Sequence, residues 1–249
     1  MSGRIKEFWN SRANLGLKAG TQDLILKELE YQAISNYVSD GMTILDAGCG
    51  NGLTAIRLAK QYKVNIIGID FSSKMIEAAK ELAKGQKIKF IVGDITENIP
   101  EFKGKFDLVY TERAIVNLED WATQNLVIEL LATYLKPSGL YLMCECSQNA
   151  LNRINDVRVE IDLPEIIRPW HNRYLYDEEI PFVGGFTLIG VEDFSSTYYF
   201  LSRVVNAYLA RLENREPDYN SAVNQLALKL PPLISGFGQV KLWIWRRNI

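Results

Sequence analysis

A glycine-rich turn directly after a short apolar stretch is the feature that most constrains how this chain can fold. Residues 44–52 read Ile-Leu-Asp-Ala-Gly-Cys-Gly-Asn-Gly. Glycine adopts backbone conformations that other residues avoid, and its lack of a Cβ lets a ligand approach the main chain. A helix that begins after such a turn presents unpaired N–H groups to the same place. The segment therefore predicts a strand, a ligand-binding turn and a helix, as in α/β proteins that bind nucleotides.

The spacing of the glycines distinguishes between two kinds of nucleotide cofactor. The glycines at 48, 50 and 52 alternate with other residues, and Leu53 stands where a dinucleotide-binding fingerprint has its third glycine. Asp46 would repel the pyrophosphate of such a cofactor, because both are negatively charged. The same carboxylate suits a cofactor that carries an amino group and a sulfonium, and S-adenosylmethionine is that cofactor. A nicotinamide oxidoreductase is therefore disfavoured.

Five segments follow one another in a characteristic order along the chain. They are residues 45–52, 69–75, 93–95, 106–110 and 135–139. Together they resemble the motifs of the Rossmann-like (class I) S-adenosylmethionine-dependent methyltransferases, and outside this core the chain is similar to small-molecule methyltransferases. The resemblance implies a doubly wound α/β fold with a mostly parallel seven-stranded sheet and an antiparallel last strand. It also implies N-terminal helices and an insertion between strands 5 and 6.

The periodicity of apolar residues gives the same alternation of strands and helices. Strands are predicted at 43–47, 65–70, 87–92, 106–111 and 139–146, and helices at 22–38, 53–62, 73–84 and 119–135. Near-continuous apolar strands between helices indicate a parallel sheet that is covered on both faces. Further along, 186–191 and 198–205 are predicted to be extended or mixed, 218–230 helical, and 239–245 a strand. We expect one domain over 1–249, with a helical cover at 1–40 and a substrate-site insertion at 147–183.

Composition limits the class of protein and its partners. With 249 residues, 47% of them hydrophobic, the chain can bury the core of one globular domain. A net charge of −2 disfavours binding to nucleic acid. No leader or membrane-spanning run is evident, so we expect a cytoplasmic protein with no membrane partner. The three cysteines are expected to be free thiols, and the isolated Cys144 and Cys146 predict no metal site. Oligomeric state is not readable from the sequence.

The residues after the second and third strands are candidates for holding the cofactor. Asp70 ends the second strand, where a carboxylate can accept hydrogen bonds from both ribose hydroxyls. The alternative is an acid that only stabilises the helix N-terminus. Phe71 and Met75 would flank the adenine or else pack in the core, and Asp94 resembles the residue that accepts the adenine amino group, with Ile95 beside it. The predicted cofactor residues are Arg12, Asp46, Gly48, Gly50, Asp70, Phe71, Met75, Asp94, Ile95, Glu112 and Arg113.

Three of these cofactor residues also have a second explanation. Glu112 and Arg113 stand in the loop that lies under the methionine part in the family, but adjacent opposite charges are often only a solvated loop. Arg12 would pair with the methionine carboxylate, or its segment is a helix packed by Phe8 and Trp9. Relatives often have a histidine near position 115 or 116, and this chain has none there.

The single histidine, His171, lies in a polar segment within the predicted insertion. The surrounding string at 169–175 is similar to a stretch in bacterial methyltransferases associated with surface polysaccharide and related metabolism. The predicted substrate residues are Asn152, Arg153, Trp170, His171, Asn172 and Tyr174. A histidine can take up a proton near neutral pH, so His171 is the predicted base, with Glu145 as the second candidate. Alternatively, the histidine is structural.

The predicted activity is methyl transfer from S-adenosylmethionine to a small polar acceptor, with O-methylation of a sugar or related metabolite favoured. Two alternatives remain open: N-methylation of a small molecule or peptide, and a non-catalytic protein that binds S-adenosylmethionine as a partner subunit. Cofactor motifs indicate binding rather than turnover, and they do not identify the acceptor.

Overall fold

The computed structural model describes residues 3–180 and 185–248. The end of the predicted insertion, 181–183, and the chain termini lie outside the described residues. The strands are β1 (Thr43–Ala47), β2 (Asn65–Asp70), β3 (Ile88–Val92), β4 (Phe106–Glu112), β5 (Leu135–Cys146), β6 (Phe186–Glu192) and β7 (Val240–Arg247). The helices are α1 (Gly3–Arg12), α2 (Leu24–Ser35), α3 (Leu53–Gln61), α4 (Ser73–Leu82), α5 (Trp121–Thr133), α6 (Gln148–Glu160), α7 (Ser196–Phe200), α8 (Asn206–Leu212) and α9 (Ala222–Lys229).

All seven strands belong to one sheet, in the order β3-β2-β1-β4-β5-β7-β6. Strands β1 to β5 are parallel to one another, whereas β7 is antiparallel to both β5 and β6. This arrangement confirms the predicted mostly parallel seven-stranded sheet with an antiparallel last strand. It also brings the carboxyl ends of β1, β2, β4 and β5 to one edge of the sheet, where the amino end of β7 joins them.

The apolar strands are buried on both faces because successive side chains point to opposite sides. Ile44 and Leu108 pack into the layer that contains α2, α3 and α4. Their neighbours Leu45 and Val109 pack into the other layer, with α5. A sheet covered on both faces presents its edge, rather than either face, to a ligand. In the described part of the chain, no helix is long and apolar enough to cross a membrane.

The structure corrects three predicted boundaries. Residues 198–205 are helical, because α7 runs through a π-helical turn at Leu201–Val205 into α8. The aromatic and β-branched residues there favour a strand by propensity, but tertiary packing overrides this preference. The polar segment after β5 begins with a helix, α6, which is capped by the side chain of Ser147. Strand β5 begins at Leu135 rather than 139.

The glycine turn joins β1 to α3 in a conformation that requires glycine. Gly48, Gly50 and Gly52 all have positive φ, of 81°, 52° and 71°. A Cβ on Gly52 would lie 2.5 Å from Cζ of Phe90, and one on Gly48 would lie 2.4 Å from Cβ of Ala114. The glycine turn therefore packs so closely against β3 and the loop after β4 that a Cβ at Gly48 or Gly52 would not fit.

We expect Gly52→Ala to lower the free energy of unfolding by about 2–5 kcal/mol, from left-handed backbone strain and overpacking combined. Gly85→Ala is the matched control, because Gly85 has a φ of 85° but no atom within 4 Å of its ideal Cβ. That control should lose only about 1–2 kcal/mol. Urea unfolding of both variants measures the difference, and equal losses would contradict the packing argument.

Candidate functional site

A cavity of about 440 Å³ lies along the carboxyl edge of the sheet, from the end of β2 to the start of β7. Its volume falls in the usual range for small-molecule sites. Ten of the predicted cofactor residues line it: Arg12, Asp46, Gly48, Gly50, Asp70, Phe71, Met75, Ile95, Glu112 and Arg113. Three predicted substrate residues also line it: His171, Asn172 and Tyr174.

Asp70 is fixed by hydrogen bonds from the backbone around it. Its Oδ2 accepts from the N–H of Gly50 at 2.9 Å, and its Oδ1 accepts from the N–H of Ser72 at 2.8 Å. Burial raises the pKa of Asp70 to about 6, although these two bonds favour the charged form. Each carboxylate oxygen can accept a second hydrogen bond. The carboxylate is therefore oriented and still able to accept hydrogen bonds from a ligand.

The surroundings of Asp70 fit the nucleoside part and the amino group of S-adenosylmethionine. Phe71, Met75 and Ile95 contribute apolar surface to the cavity beside the glycine turn. An ideal Cβ on Gly50 would have no other atom within 4 Å, so a ligand can approach the backbone of Gly50. Asp46 is buried, and burial raises its pKa to about 7. A cationic ligand group beside Asp46 would favour the charged carboxylate.

Asp94 is the one predicted cofactor residue that does not line the cavity. Its Oδ1 accepts hydrogen bonds from the N–H of Thr96 at 2.9 Å and from the Thr96 hydroxyl at 2.8 Å. The carboxylate thus closes the turn after β3. The next residue, Ile95, reaches the cavity instead.

Glu112 and Arg113 belong to a buried network rather than to a solvated loop. Glu112 accepts hydrogen bonds from Lys27 and, at 2.6 Å, from the hydroxyl of Thr54. Arg113 forms an ion pair with Glu30, with 2.8 Å between Nε and Oε1. Burial raises the pKa of Glu30 to about 8, whereas Lys27 overcomes the effect of burial on Glu112 and lowers its pKa to about 2. Lys27 thus favours the charged form of Glu112, whereas on Glu30 burial opposes the charge that Arg113 favours.

His171 is half-buried among aromatic rings. Its ring centroid lies 4.2 Å from that of Phe8, 5.7 Å from that of Trp9 and 5.4 Å from that of Trp170. Burial, and next the positive charge of Arg12, lower the pKa of His171. Its Nδ1 is buried with no hydrogen-bond partner among the residues that the structure describes. The imidazole is therefore neutral at pH 7, and Nε2 is its remaining polar atom.

Asn117 connects the N-terminal cover to the segment that carries His171. Its Oδ1 accepts from the indole N–H of Trp9 at 3.2 Å and from the amide of Asn172 at 3.1 Å. Its own amide donates to the carbonyl of Arg113 at 2.7 Å. Arg12, at the end of α1, donates from Nε to the carbonyl of Ala19 at 2.6 Å. These bonds hold α1 across the cavity opening.

Glu145 lies outside the cavity, so its position does not support the predicted role as a base. Its carboxylate is inaccessible to solvent and accepts the N–H groups of Ala114, Ile115 and Val116 at 3.0, 3.0 and 3.3 Å. Burial raises its pKa to about 7 despite these bonds. Through these three hydrogen bonds, Glu145 instead fixes the position of the loop after β4.

Three predicted substrate residues are also outside the cavity. Asn152 and Arg153 stand on the exposed face of α6, where Asn152 accepts a hydrogen bond from Gln148 at 2.7 Å and Arg153 covers the ring of Phe237. Helical periodicity turns these two outward between buried positions on either side. Trp170 is 54% exposed. Its neighbours Pro169 and His171 line the cavity, whereas Trp170 itself does not.

The cavity also contains residues that the sequence analysis missed. Tyr199 and Arg203 come from α7 and the π-helical turn, Tyr219 from the loop before α9, and Gln239 from the start of β7. Arg203 donates to Asp23 Oδ2 at 2.6 Å. The separation of Tyr199 and Arg203 by four residues is a helical signal. Because the segment was predicted to be extended or mixed, this helical spacing was not recognised.

Comparison with known proteins places this site in a family. Residues 38–179, more than half of the chain, match the methyltransferase domain family. Norajmaline N-methyltransferase from Rauvolfia serpentina is 41% identical over 81 residues, which are 31% of this chain and 27% of that protein. Malonyl-(acyl-carrier protein) O-methyltransferase from Priestia megaterium is 29% identical over 138 residues, 55% of this chain and 48% of that protein. This chain spans about half the length, or less, of these relatives.

A solved structure shows the same fold over the whole chain. The TehB-like S-adenosylmethionine-dependent methyltransferase from Corynebacterium glutamicum covers 100% of both chains with a TM-score of 0.57 and 15% identity. The sheet order and the glycine turn define a Rossmann-like protein with a nucleotide-cofactor site at the sheet edge. The chain belongs to the methyltransferase domain family, in its Rossmann-like (class I) form, whose methyl donor is S-adenosylmethionine.

We expect the affinity for S-adenosylhomocysteine, the demethylated product, to fall as the pH drops through about 7 and then about 6, the pKa values of Asp46 and Asp70. Protonation of Asp70, whose pKa is about 6, removes the charged acceptor. If only the ionised form binds, the loss approaches about tenfold per pH unit. Asp70→Asn should bind more weakly at pH 8 and lack the step near pH 6.

Calorimetry between pH 5 and 8 measures both effects. Asp120→Asn is the control, because Asp120 caps α5 and asparagine is an equally good cap. A pH profile of Asp70→Asn identical to that of the parent would count against the role of Asp70.

Proposed function

We propose that this chain transfers the methyl group of S-adenosylmethionine to a small polar acceptor, by O-methylation of a hydroxyl on a sugar or related metabolite. One observation supports this most directly. A single cavity joins the glycine turn and Asp70 to the neutral imidazole of His171 and to polar groups at its other end. The cofactor and an acceptor can therefore bind in one enclosed space.

The residues around the glycine turn are suited to hold the cofactor. The free acceptor positions of Asp70 suit the ribose hydroxyls, and the surfaces of Phe71 and Met75 suit the adenine. Arg12 suits the methionine carboxylate, and Asp46 suits its amino group. When bound, the cofactor supplies an electrophilic methyl group on a sulfonium, which is the difficult part of the chemistry. The protein must then orient the acceptor and handle a proton.

His171 and the helical cover are suited to that second task. The hydrogen bonds from Trp9 and Asn172 to Asn117 keep α1 over the cavity and exclude water. His171 is neutral, so its Nε2 can accept a hydrogen bond and then the proton of an attacking hydroxyl. Its lowered pKa favours release of that proton after each turnover.

N-methylation is the second candidate, and four matched relatives are named N-methyltransferases. A neutral amine already has a free lone pair, so it needs no base before it attacks. The requirement for a proton acceptor at His171 therefore separates the two reactions. A partner subunit without catalysis would bind the cofactor and transfer no methyl group.

We expect calorimetry to show binding of S-adenosylmethionine and S-adenosylhomocysteine, and no comparable binding of NADH. Incubation with S-adenosylmethionine labelled in its methyl group and pools of sugars, sugar phosphates, amines and phenols should label a small molecule. Boiled protein is the control. Binding without transfer to any pool would support the non-catalytic alternative, and NADH binding of similar strength would contradict the cofactor assignment.

We expect His171→Ala to lower kcat about 10²–10⁴-fold, which is the usual contribution of a general base. Its affinity for S-adenosylhomocysteine should change little, because the cofactor is held by other residues. His171→Gln keeps a hydrogen bond but cannot take a proton, so it should be equally impaired if the acceptor is a hydroxyl. Nearly full activity of His171→Gln would favour positioning of an amine, and a loss explained by unfolding alone would leave His171 structural.

A further inference from the structure

The end of the cavity away from the glycine turn has its own set of polar residues. We call it the far end, and it is formed by Tyr174, Tyr199, Arg203, Tyr219 and Gln239. Gln239 directly precedes β7, whose first residue pairs with the last residue of β5. The far end therefore lies beyond β4 along the sheet edge, across from the β1–β2 region that holds Asp70.

Arg203 is fixed in position and keeps unused hydrogen-bond donors. One terminal nitrogen donates to Asp23 at 2.6 Å and the other to Ser202 at 2.5 Å. The guanidinium carbon lies 4.8 Å from the ring centroid of Tyr219 and 5.1 Å from that of Tyr199. A guanidinium has five N–H donors, so Nε and part of each terminal nitrogen remain for a ligand. These contacts hold the guanidinium group of Arg203 in place but use only part of its N–H donors.

The hydroxyl of Tyr199 has no hydrogen-bond partner among the described residues. Tyr199 is only 3% exposed and lines the cavity beside Arg203. Within 3–180 and 185–248, no residue forms a hydrogen bond with this hydroxyl, whereas the neighbouring Tyr174 accepts one from Gln239 at 2.8 Å. Because Tyr199 lines the cavity, a ligand there can reach this hydroxyl. A hydroxyl open to the cavity next to guanidinium donors can donate a hydrogen bond to an oxygen acceptor on a ligand.

The donors at this end of the cavity favour an anion over a neutral ligand. Arg203 forms an ion pair with Asp23, with 2.6 Å between its terminal nitrogen and Oδ2, and this pair uses only part of its N–H groups. A guanidinium matches the planar, bidentate geometry of a carboxylate or phosphate, and hydrogen bonds between charged groups are stronger than those between neutral ones. An anionic oxygen group therefore suits the remaining donors of Arg203 together with the Tyr199 hydroxyl.

We infer that the methyl acceptor carries an anionic oxygen group, a carboxylate or a phosphate, which binds between the Tyr199 hydroxyl and the free donors of Arg203. The inference rests on the proposed function, because it identifies the chemistry of the acceptor for that same cavity. Bound there, the anion places the rest of the acceptor toward the cofactor side of the cavity. A neutral sugar hydroxyl can accept single hydrogen bonds here, but it lacks the bidentate geometry that a guanidinium matches.

The test uses the full chain saturated with S-adenosylhomocysteine and small probes measured by calorimetry. Benzoate and phenyl phosphate carry the two anionic groups, and benzamide is the neutral probe of the same shape. We expect at least one anion to bind about tenfold more tightly than benzamide. Tyr199→Phe should weaken binding of that anion about 10- to 100-fold, because a hydrogen bond to a charged group is lost.

The unpaired Tyr199 hydroxyl makes this variant a clean one, since its removal breaks no bond inside the protein. Urea unfolding should give the same midpoint for Tyr199→Phe and the parent. Tyr208→Phe is the matched control, because Tyr208 is exposed on α8 and outside the cavity. Arg203→Lys keeps the charge beside Asp23 and removes the planar fork, so it should weaken anion binding while Arg211→Lys, further along α8, should not.

Benzamide binding as tightly as both anions would overturn the inference, as would unchanged anion affinity in Tyr199→Phe. In either case, retained binding of S-adenosylhomocysteine would leave the proposed function standing. Failure of S-adenosylhomocysteine itself to bind would instead refute the proposed function. A difference between benzoate and phenyl phosphate identifies which of the two anionic groups the acceptor carries.

Discussion

The site depends on one buried carboxylate that lies outside the cavity. Glu145 accepts three consecutive backbone N–H groups from the loop after β4, and it does so without access to solvent. The loop it holds contains Ala114, against which the glycine turn packs so closely that a Cβ on Gly48 would overlap it. The same loop carries Asn117, which receives the N-terminal cover. Glu145, two strands away from the glycine turn, therefore positions both the loop against which that turn packs and the residue to which the N-terminal cover is attached.

The cofactor half of the site could be predicted from the sequence because its residues are local. The glycine turn follows β1, Asp70 ends β2 and Phe71 comes directly after it. The conformation of a turn depends on its own residues, and glycine adopts backbone angles that other residues avoid. The acceptor half could not be predicted in this way. Tyr199, Arg203 and Gln239 come from α7, a π-helical turn and the start of β7, and only the order of the strands brings them together.

Two errors in the sequence analysis have the same physical origin. Tyr198 to Val205 has strand-like composition but packs as helix, and Asn152 and Arg153 read as a polar recognition loop but cover the outside of α6. In both places the prediction rested on residue type alone and did not take account of the helical period that packing against the core imposes. Glu145 illustrates a related point: it lies at a strand end as expected, but the direction of its side chain follows the pleat and it does not line the cavity.

The π-helical turn at Leu201–Val205 gives this scaffold a simple route to new specificity. Such a turn contains one residue more than the α-helix on either side of it. Because the extra residue is accommodated within the turn, loss of one residue there would restore a regular α-helix and leave the helix downstream in phase. The side chains within the turn, Arg203 among them, would change direction, while the sheet, the glycine turn and Asp70 belong to other elements. Length variation in one helix can thus reshape the end of the cavity that Arg203 lines, without a change in the half that contains the glycine turn.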